Sequence, residues 1–310
     1  MPKIKRNRLL FGCLCALGCE ILYGLSYVFT KQAAETAGAL PLLGWRFIIA
    51  AVVMGLGVSF GLFRVRLKGK ALKPLLPIVL LSPCAYFIGE TVGIDLTTAS
   101  ESGVFLACIP VVSLIASSLI LRKKPTGIQI AGILITLSGV LLTVLALGAS
   151  ASLSVVGYLF LLIAVLSYVI FCVLVEKAEA YTETEITFVM LIAGAIFFGL
   201  AAAGDAVRTG TLGEVLRLPF SDASFAAAVL YQGIGCSIFA FLLDNTAITT
   251  IGVNRTASFI GVSTVVSVVA GAVYLHEPFG VPQIIGAVVI IAGVYIANAD
   301  ASHTKKQQEE

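Results

Sequence analysis

Charge is scarce in this chain. Asp, Glu, Lys and Arg make up 12% of its 310 residues, against 59% apolar types. A soluble domain of this length would carry charged loops between short apolar runs, so the composition excludes that class. Histidine is nearly missing, with two copies, and no glycine-rich loop precedes a Lys-Ser or Lys-Thr pair. A nucleophile, base and metal set cannot be assembled from what remains, so neither an enzyme nor a cofactor is expected. The seven cysteines (Cys13, Cys15, Cys19, Cys84, Cys108, Cys172 and Cys236) all fall inside apolar runs. None sits in a loop beside a partner, which speaks for small packed hydrophobes and against a disulfide framework. The apolar-polar alternation of a membrane barrel is missing too.

What is present is a series of long apolar runs. Crossing about 30 Å of hydrocarbon takes about 20 helical residues. Backbone in lipid must satisfy its own hydrogen bonds, so such runs must be helices. Ten are predicted: Leu9–Lys31, Leu43–Phe63, Leu75–Leu96, Ser102–Leu121, Ile128–Leu147, Val155–Val175, Glu185–Ala203, Ser224–Ile248, Thr256–Tyr274 and Pro282–Asn298. The basic start followed by an apolar run looks like a signal peptide. That run exceeds the roughly 7–15 residues of a signal core and contains Glu20, so it reads as a retained first helix.

The cations cluster at alternate ends of these runs. Lys3, Lys5, Arg6 and Arg8 precede the first run, and Arg64, Arg66, Lys68, Lys70 and Lys73 follow the second. Arg122, Lys123 and Lys124 follow the fourth, and Lys305 and Lys306 follow the last. With ten spans all lie on one side, which the positive-inside rule makes cytoplasmic, both termini included. The location expected is therefore the cytoplasmic membrane, with the bilayer as one partner. The net charge of +3 reflects this topology. The basic stretches lack interleaved aromatics, so nucleic acid is not an expected partner.

The apolar chain is also written twice. Displaced by 154 positions, Gln129-Ile130-Ala131-Gly132 falls on Gln283-Ile284-Ile285-Gly286. Gly139-Val140 falls on Gly293-Val294, and Val111-Val112-Ser113 on Val265-Val266-Ser267. Residues 1–150 and 151–300 are then two five-helix repeats, joined near Gly148–Ser154, with a polar cytoplasmic tail at 301–310. An odd helix number makes the second copy enter the membrane upside down, a plan that supplies alternating access. The fold expected is all-α and integral to the membrane, with ten transmembrane helices in two inverted five-helix repeats. Gly204–Asp222 is its only long external segment. Gly132, Gly139, Gly286 and Gly293 form small-residue stripes that let helices approach, more simply within one protein than between copies. Monomer and homodimer both stay open. Pro83 and Pro110 each remove a backbone hydrogen bond and can kink their helices.

Acids inside hydrocarbon are costly and mark polar cavities. Glu20 lies near the middle of the first run, with Tyr23, Gly24 and Tyr27 on its face. Leu14, Leu22, Leu25 and Phe29 form the opposite, lipid-facing side. The functional reading is a cavity wall with a protonatable carboxyl; the bland one is a glutamate held for packing. Glu90 follows Tyr86 by one turn, and its repeat mate is Asp244. This pair suits gates or a proton path, or equally caps helix ends. Arg46 snorkels outward, forms a structural ion pair, or binds an anion. Glu101 and its mate Arg255 read as interfacial helix starts, and His276 as structural. The candidate substrate contacts are Glu20, Tyr23, Tyr27, Tyr86, Glu90, Tyr168, Tyr231, Gln232 and Ser258. The gating or coupling set is Glu20, Glu90, Asp244 and Arg46.

Local motifs add a resemblance. The first run carries Leu22-Tyr23-Gly24-Leu25-Ser26-Tyr27, and the second opens with Pro41 before Trp45-Arg46-Phe47. Leu96-Thr97-Thr98-Ala99-Ser100, Pro110, His276-Glu277-Pro278, Gly286 and Ala292-Gly293-Val294 follow in order. Together these resemble the EamA branch of the drug/metabolite transporter superfamily, from about Leu10 to Asn298. Lys123 stands where such proteins often carry glutamate, Tyr23 where Trp is common, and Thr264 where proline is expected. The resemblance implies a ten-helix transporter that exports amino acids, related metabolites or toxic compounds. The expectation is a secondary transporter for a small amino-acid-like or drug-like solute, exporting, with protons as candidate coupling ions. The alternatives are an uncoupled channel or facilitator, and an intramembrane hydrolase using Glu20 with another acid.

Overall fold

The computed structural model describes residues 3–97, 105–106, 108–122, 124–145, 154–274 and 280–299. All regular structure among them is helical. The elements are α1 (Lys3–Ala37), α2 (Ala39–Ser59), α3 (Lys73–Ile94), α4 (Ile109–Ile120), α5 (Gly127–Leu145) and α6 (Val155–Lys177). They continue as α7 (Glu183–Thr209), α8 (Leu212–Ser221), α9 (Ala223–Ile251), α10 (Val253–Tyr274) and α11 (Val281–Ala299). Eight described helices are long and apolar enough to cross a membrane, and α4 and α5 are shorter apolar helices. Glu101, Lys123, His276, Glu277, most of the repeat junction and the tail after Ala299 lie outside the described residues.

Local chemistry sets the helix ends. Thr182 caps α7 by accepting the Glu185 N–H, and the Glu185 carboxylate accepts the Thr182 N–H in return. Asp222 accepts the Phe225 N–H at 2.7 Å to start α9. Gly252, at φ 83°, turns α9 directly into α10 in a conformation that disfavours other residues.

The prolines act differently from one another. Pro83 breaks α3, because a residue before proline is driven out of the helical region, and Ser82 sits at φ −137°, ψ 120°. Pro110 was expected to kink a helix interior. It instead lies in the first turn of α4, where its missing N–H costs nothing.

A second departure concerns Gly204–Asp222. Most of it is helical: α7 runs on to Thr209, and the amphipathic α8 follows. Leu216 and Phe220 of α8 are exposed, while the Trp45 indole donates to the Val215 carbonyl at 2.9 Å.

Between lipid-covered helices there is no gain from hiding apolar surface from water, so close packing must hold them. α5 and α11 pack together, α2 packs on α7, α1 on α9 and α10, and α6 on α3 and α4. Gly132 and Gly293 are where α5 and α11 meet. A Cβ on Gly132 would lie 2.3 Å from the Ala297 nitrogen, and one on Gly293 2.5 Å from the Thr136 nitrogen. The small-residue stripes therefore serve a contact within one chain. Phe47, Phe87 and Phe198 form an aromatic core where α2, α3 and α7 meet.

The outer surface is apolar. On α1 the exposed stripe is Leu10, Phe11, Leu14, Leu17 and Ile21. Only Leu14 of the expected stripe belongs to it. Phe29 is turned inward and stacks on Tyr231 at 4.3 Å, and Leu22 and Leu25 are half-buried. A band this apolar is unstable in water and suits hydrocarbon. All seven cysteines are free thiols.

Candidate functional site

The helices enclose a cavity of about 1130 Å³. Its rim is formed by the α1–α2 turn at Gly38–Pro41 together with Asp205, Thr211 and Glu214. α2 runs from this rim to the basic loop at Arg64–Lys73, so the cavity opens away from the cations. No described residue of that loop lines it. The cation-rich end is tied together by polar contacts. Glu185 accepts Lys70 Nζ at 2.6 Å and the Arg66 N–H at 3.0 Å. The Tyr181 hydroxyl donates to the Ala71 carbonyl, and Glu176 accepts the Val253 N–H at 2.8 Å.

Six of the sequence-predicted acids and tyrosines meet in this cavity with Arg46 and Gln232. Glu20 of α1 is 5% exposed, lies beside Ser263 of α10, and lines the wall together with Tyr23. On α3, Tyr86 donates its hydroxyl to Glu90 Oε1 at 2.8 Å, as the one-turn spacing allows. Across from it, Tyr168 of α6 donates to Asp244 of α9, at 3.2 Å to one carboxylate oxygen and 3.4 Å to the other. The Tyr86 and Tyr168 rings are 5.7 Å apart, so the two tyrosine–acid pairs are neighbours. Gln232 lines the cavity and donates to Thr30 at 2.8 Å.

Arg46 is buried, at 6% exposure, and lines the cavity. It neither snorkels nor forms an ion pair among the described residues. Its Nε donates to the Ser237 hydroxyl at 2.7 Å and Nη1 to Gln232 Oε1 at 3.3 Å. The guanidinium lies 4.7 Å from the Phe87 ring centre. Arg46 sits seven residues past the start of α2, and its side chain turns inward to partners on α9.

Two predicted contacts do not reach the cavity. Tyr231 donates its hydroxyl to the Leu22 carbonyl at 2.9 Å and stacks on Phe29, which fastens α9 to α1. Ser258 is buried, donates to the Arg255 carbonyl at 2.6 Å and accepts from Asn298 at 2.8 Å. Both hydroxyls are consumed by helix packing. Tyr27 is helical, and its side chain lies outside the described residues. Phe87, Phe171 and Asn245 line the cavity and were not anticipated. Asn245 donates to Thr187 at 2.9 Å, and its carbonyl oxygen is buried without a partner. The Asp244-Asn245 doublet within an apolar run was the available signal.

Known proteins agree with this architecture. The model of the EamA-like transporter family matches residues 10–145 and again residues 155–299. The chain is 28% identical over 296 residues to the uncharacterized transporter YcxC of Bacillus subtilis, covering 95% of each chain. It is 20% identical to an uncharacterized transporter of Archaeoglobus fulgidus, covering 88% of this chain and 94% of the other. A crystal structure at 17% identity superposes with a TM-score of 0.75, covering 94% of this chain and 99% of that one, and so shares the fold. The multi-pass helical chain described here is a member of the EamA-like transporter family.

Proposed function

We propose that the protein is a secondary transporter that moves a small amino-acid-like or drug-like solute across the cytoplasmic membrane by alternating access, in the direction of export. The one-ended cavity carries this reading. It is large enough for a metabolite and lined by acids and aromatic rings, and its lining reaches the α1–α2 turn but includes no described residue of the basic loop. A continuous pore would be lined from end to end, which disfavours a channel. A bound solute must leave through the end now tied by Lys70–Glu185 and Glu176–Val253.

Two inverted five-helix repeats, residues 1–150 and 151–300, supply the second state. The tandem family matches support the duplication. So does the packing, which maps onto itself when the halves are exchanged. α2 on α7 and α5 on α11 are each their own image. α1 on α9 and α10 becomes α6 on α3 and α4. Ten crossings put the basic loops and both termini in the cytoplasm. The cavity then faces outward, and the inward-open state arises when the halves exchange roles.

Glu20, Glu90 and Asp244 are the coupling residues, with a proton as the coupling ion, and Tyr23, Tyr86, Tyr168 and Gln232 are the solute contacts. The protein works as a monomer or homodimer. Counterflow in proteoliposomes tests this reading, with candidates drawn from metabolites that differ between cells with and without the protein. Saturable uptake accelerated by internal solute is expected. Flux that never saturates and ignores the opposite side would mean a channel.

A further inference from the structure

We propose that Arg46, held in place by Gln232 and Ser237, is the subsite that binds an anionic group of the solute, a carboxylate above all. This rests on the carrier reading. Arg46 is a buried charge with no ion pair within 4 Å among the described residues; the Glu90 carboxylate acts on it only at longer range. A guanidinium is always protonated and carries five N–H donors in a planar fork. At Arg46 the fork is buried, yet its partners, Ser237 and Gln232, are neutral. The rest of the fork finds no acceptor among the described residues and fronts the cavity.

A buried charge without a contact partner is destabilising, and an anionic group against the fork would relieve that cost. The acids that could complete it share the cavity and are directed elsewhere. Asp244 is held by Tyr168, Glu90 by Tyr86, and Glu20 lies beside Ser263. None forms an ion pair with Arg46.

The fork is also pre-set, which lowers the cost of binding. Phe87 lies against one face, Ser237 fixes Nε, and Thr30 receives the Gln232 amide so that its carbonyl points back to Nη1. The free edge suits the two oxygens of a carboxylate. The aromatic walls at Tyr86, Phe87, Tyr168 and Phe171 suit an apolar body.

The test uses the full chain in nanodiscs and three probes with one body: phenylacetate, phenethylamine and phenylalanine. Phenylacetate and phenylalanine should bind, and Arg46→Gln should weaken both by about tenfold or more. Arg46→Lys keeps the charge and loses the fork, so it should weaken both as well. Where Arg46→Gln fails to fold, judged by gel filtration and melting, Arg46→Lys decides. Equal affinity of wild type and Arg46→Lys for both carboxylates overturns the proposal, as does binding of neither. Saturable counterflow of phenethylamine without binding of either carboxylate overturns it while leaving the carrier reading intact.

Discussion

The Tyr168 hydroxyl donates to the Asp244 carboxylate across the interface of α6 and α9, 3.2 Å from one of its oxygens. Seventy-six positions separate the two residues in the chain. The pair lies at the junction of the cavity walls, where it ties a titratable group to a helix of the same repeat. Tyr168→Phe keeps the ring and removes the donor. A buried acceptor left without its donor costs about 1–3 kcal/mol, so transport should fall about tenfold or more together with a modest drop in melting temperature. Unchanged counterflow kinetics would place Asp244 outside the transport cycle.

Glu20→Gln keeps shape and removes titration. If Glu20 couples protons, the variant retains solute–solute exchange and loses accumulation driven by a pH gradient. Normal accumulation in the variant would reduce Glu20 to a packing residue. A parallel fall of both activities would reassign it to solute binding.

How much of this was readable beforehand depends on how local the cause is. Lipid forces apolar runs into helices, so α1, α2, α6 and α7 fall where the hydropathy put them. Glu20 was readable because a carboxyl in hydrocarbon demands a polar neighbour. The Tyr168–Asp244 bond was not, because the two residues belong to different helices and are not repeat mates. Arg46 stays open in the sequence for a related reason: snorkelling and turning inward start from the same helix position, and only Ser237 and Gln232 decide between them. Tyr231 and Ser258 show the limit of one-helix reasoning. Each lies on a polar face, and a neighbouring helix takes its hydroxyl. The helix α8 was hidden because its ten residues are too short and too mixed for a membrane signal.

Gly132→Leu tests the seam between α5 and α11. Even the first carbon would lie 2.3 Å from the Ala297 nitrogen, which belongs to a backbone that cannot swing away. Overpacking of this kind costs about 1–3 kcal/mol or more, so a clear drop in melting temperature is expected in detergent. Gly55→Leu, where a Cβ meets nothing within 4 Å, is the control and should melt as wild type. Equal melting of the two variants would dissolve the seam argument.

Orientation follows from the basic loops. In a cysteine-free background, impermeant maleimide added to intact cells should label a cysteine at Thr211 and spare one at Lys68. The opposite pattern would reverse the direction in which the cavity faces.

Alternating access makes its sharpest statement about two distances measured together. Spin labels at Leu40 and Glu214 report the rim, and labels at Lys177 and Arg255 report the tied end beside Glu176–Val253. Pulsed electron paramagnetic resonance on the full chain in nanodiscs resolves both pairs. Two populations are expected, with the rim short when the other pair is long and long when it is short. Rim and base lengthening together, or neither changing under any solute or pH, would contradict it.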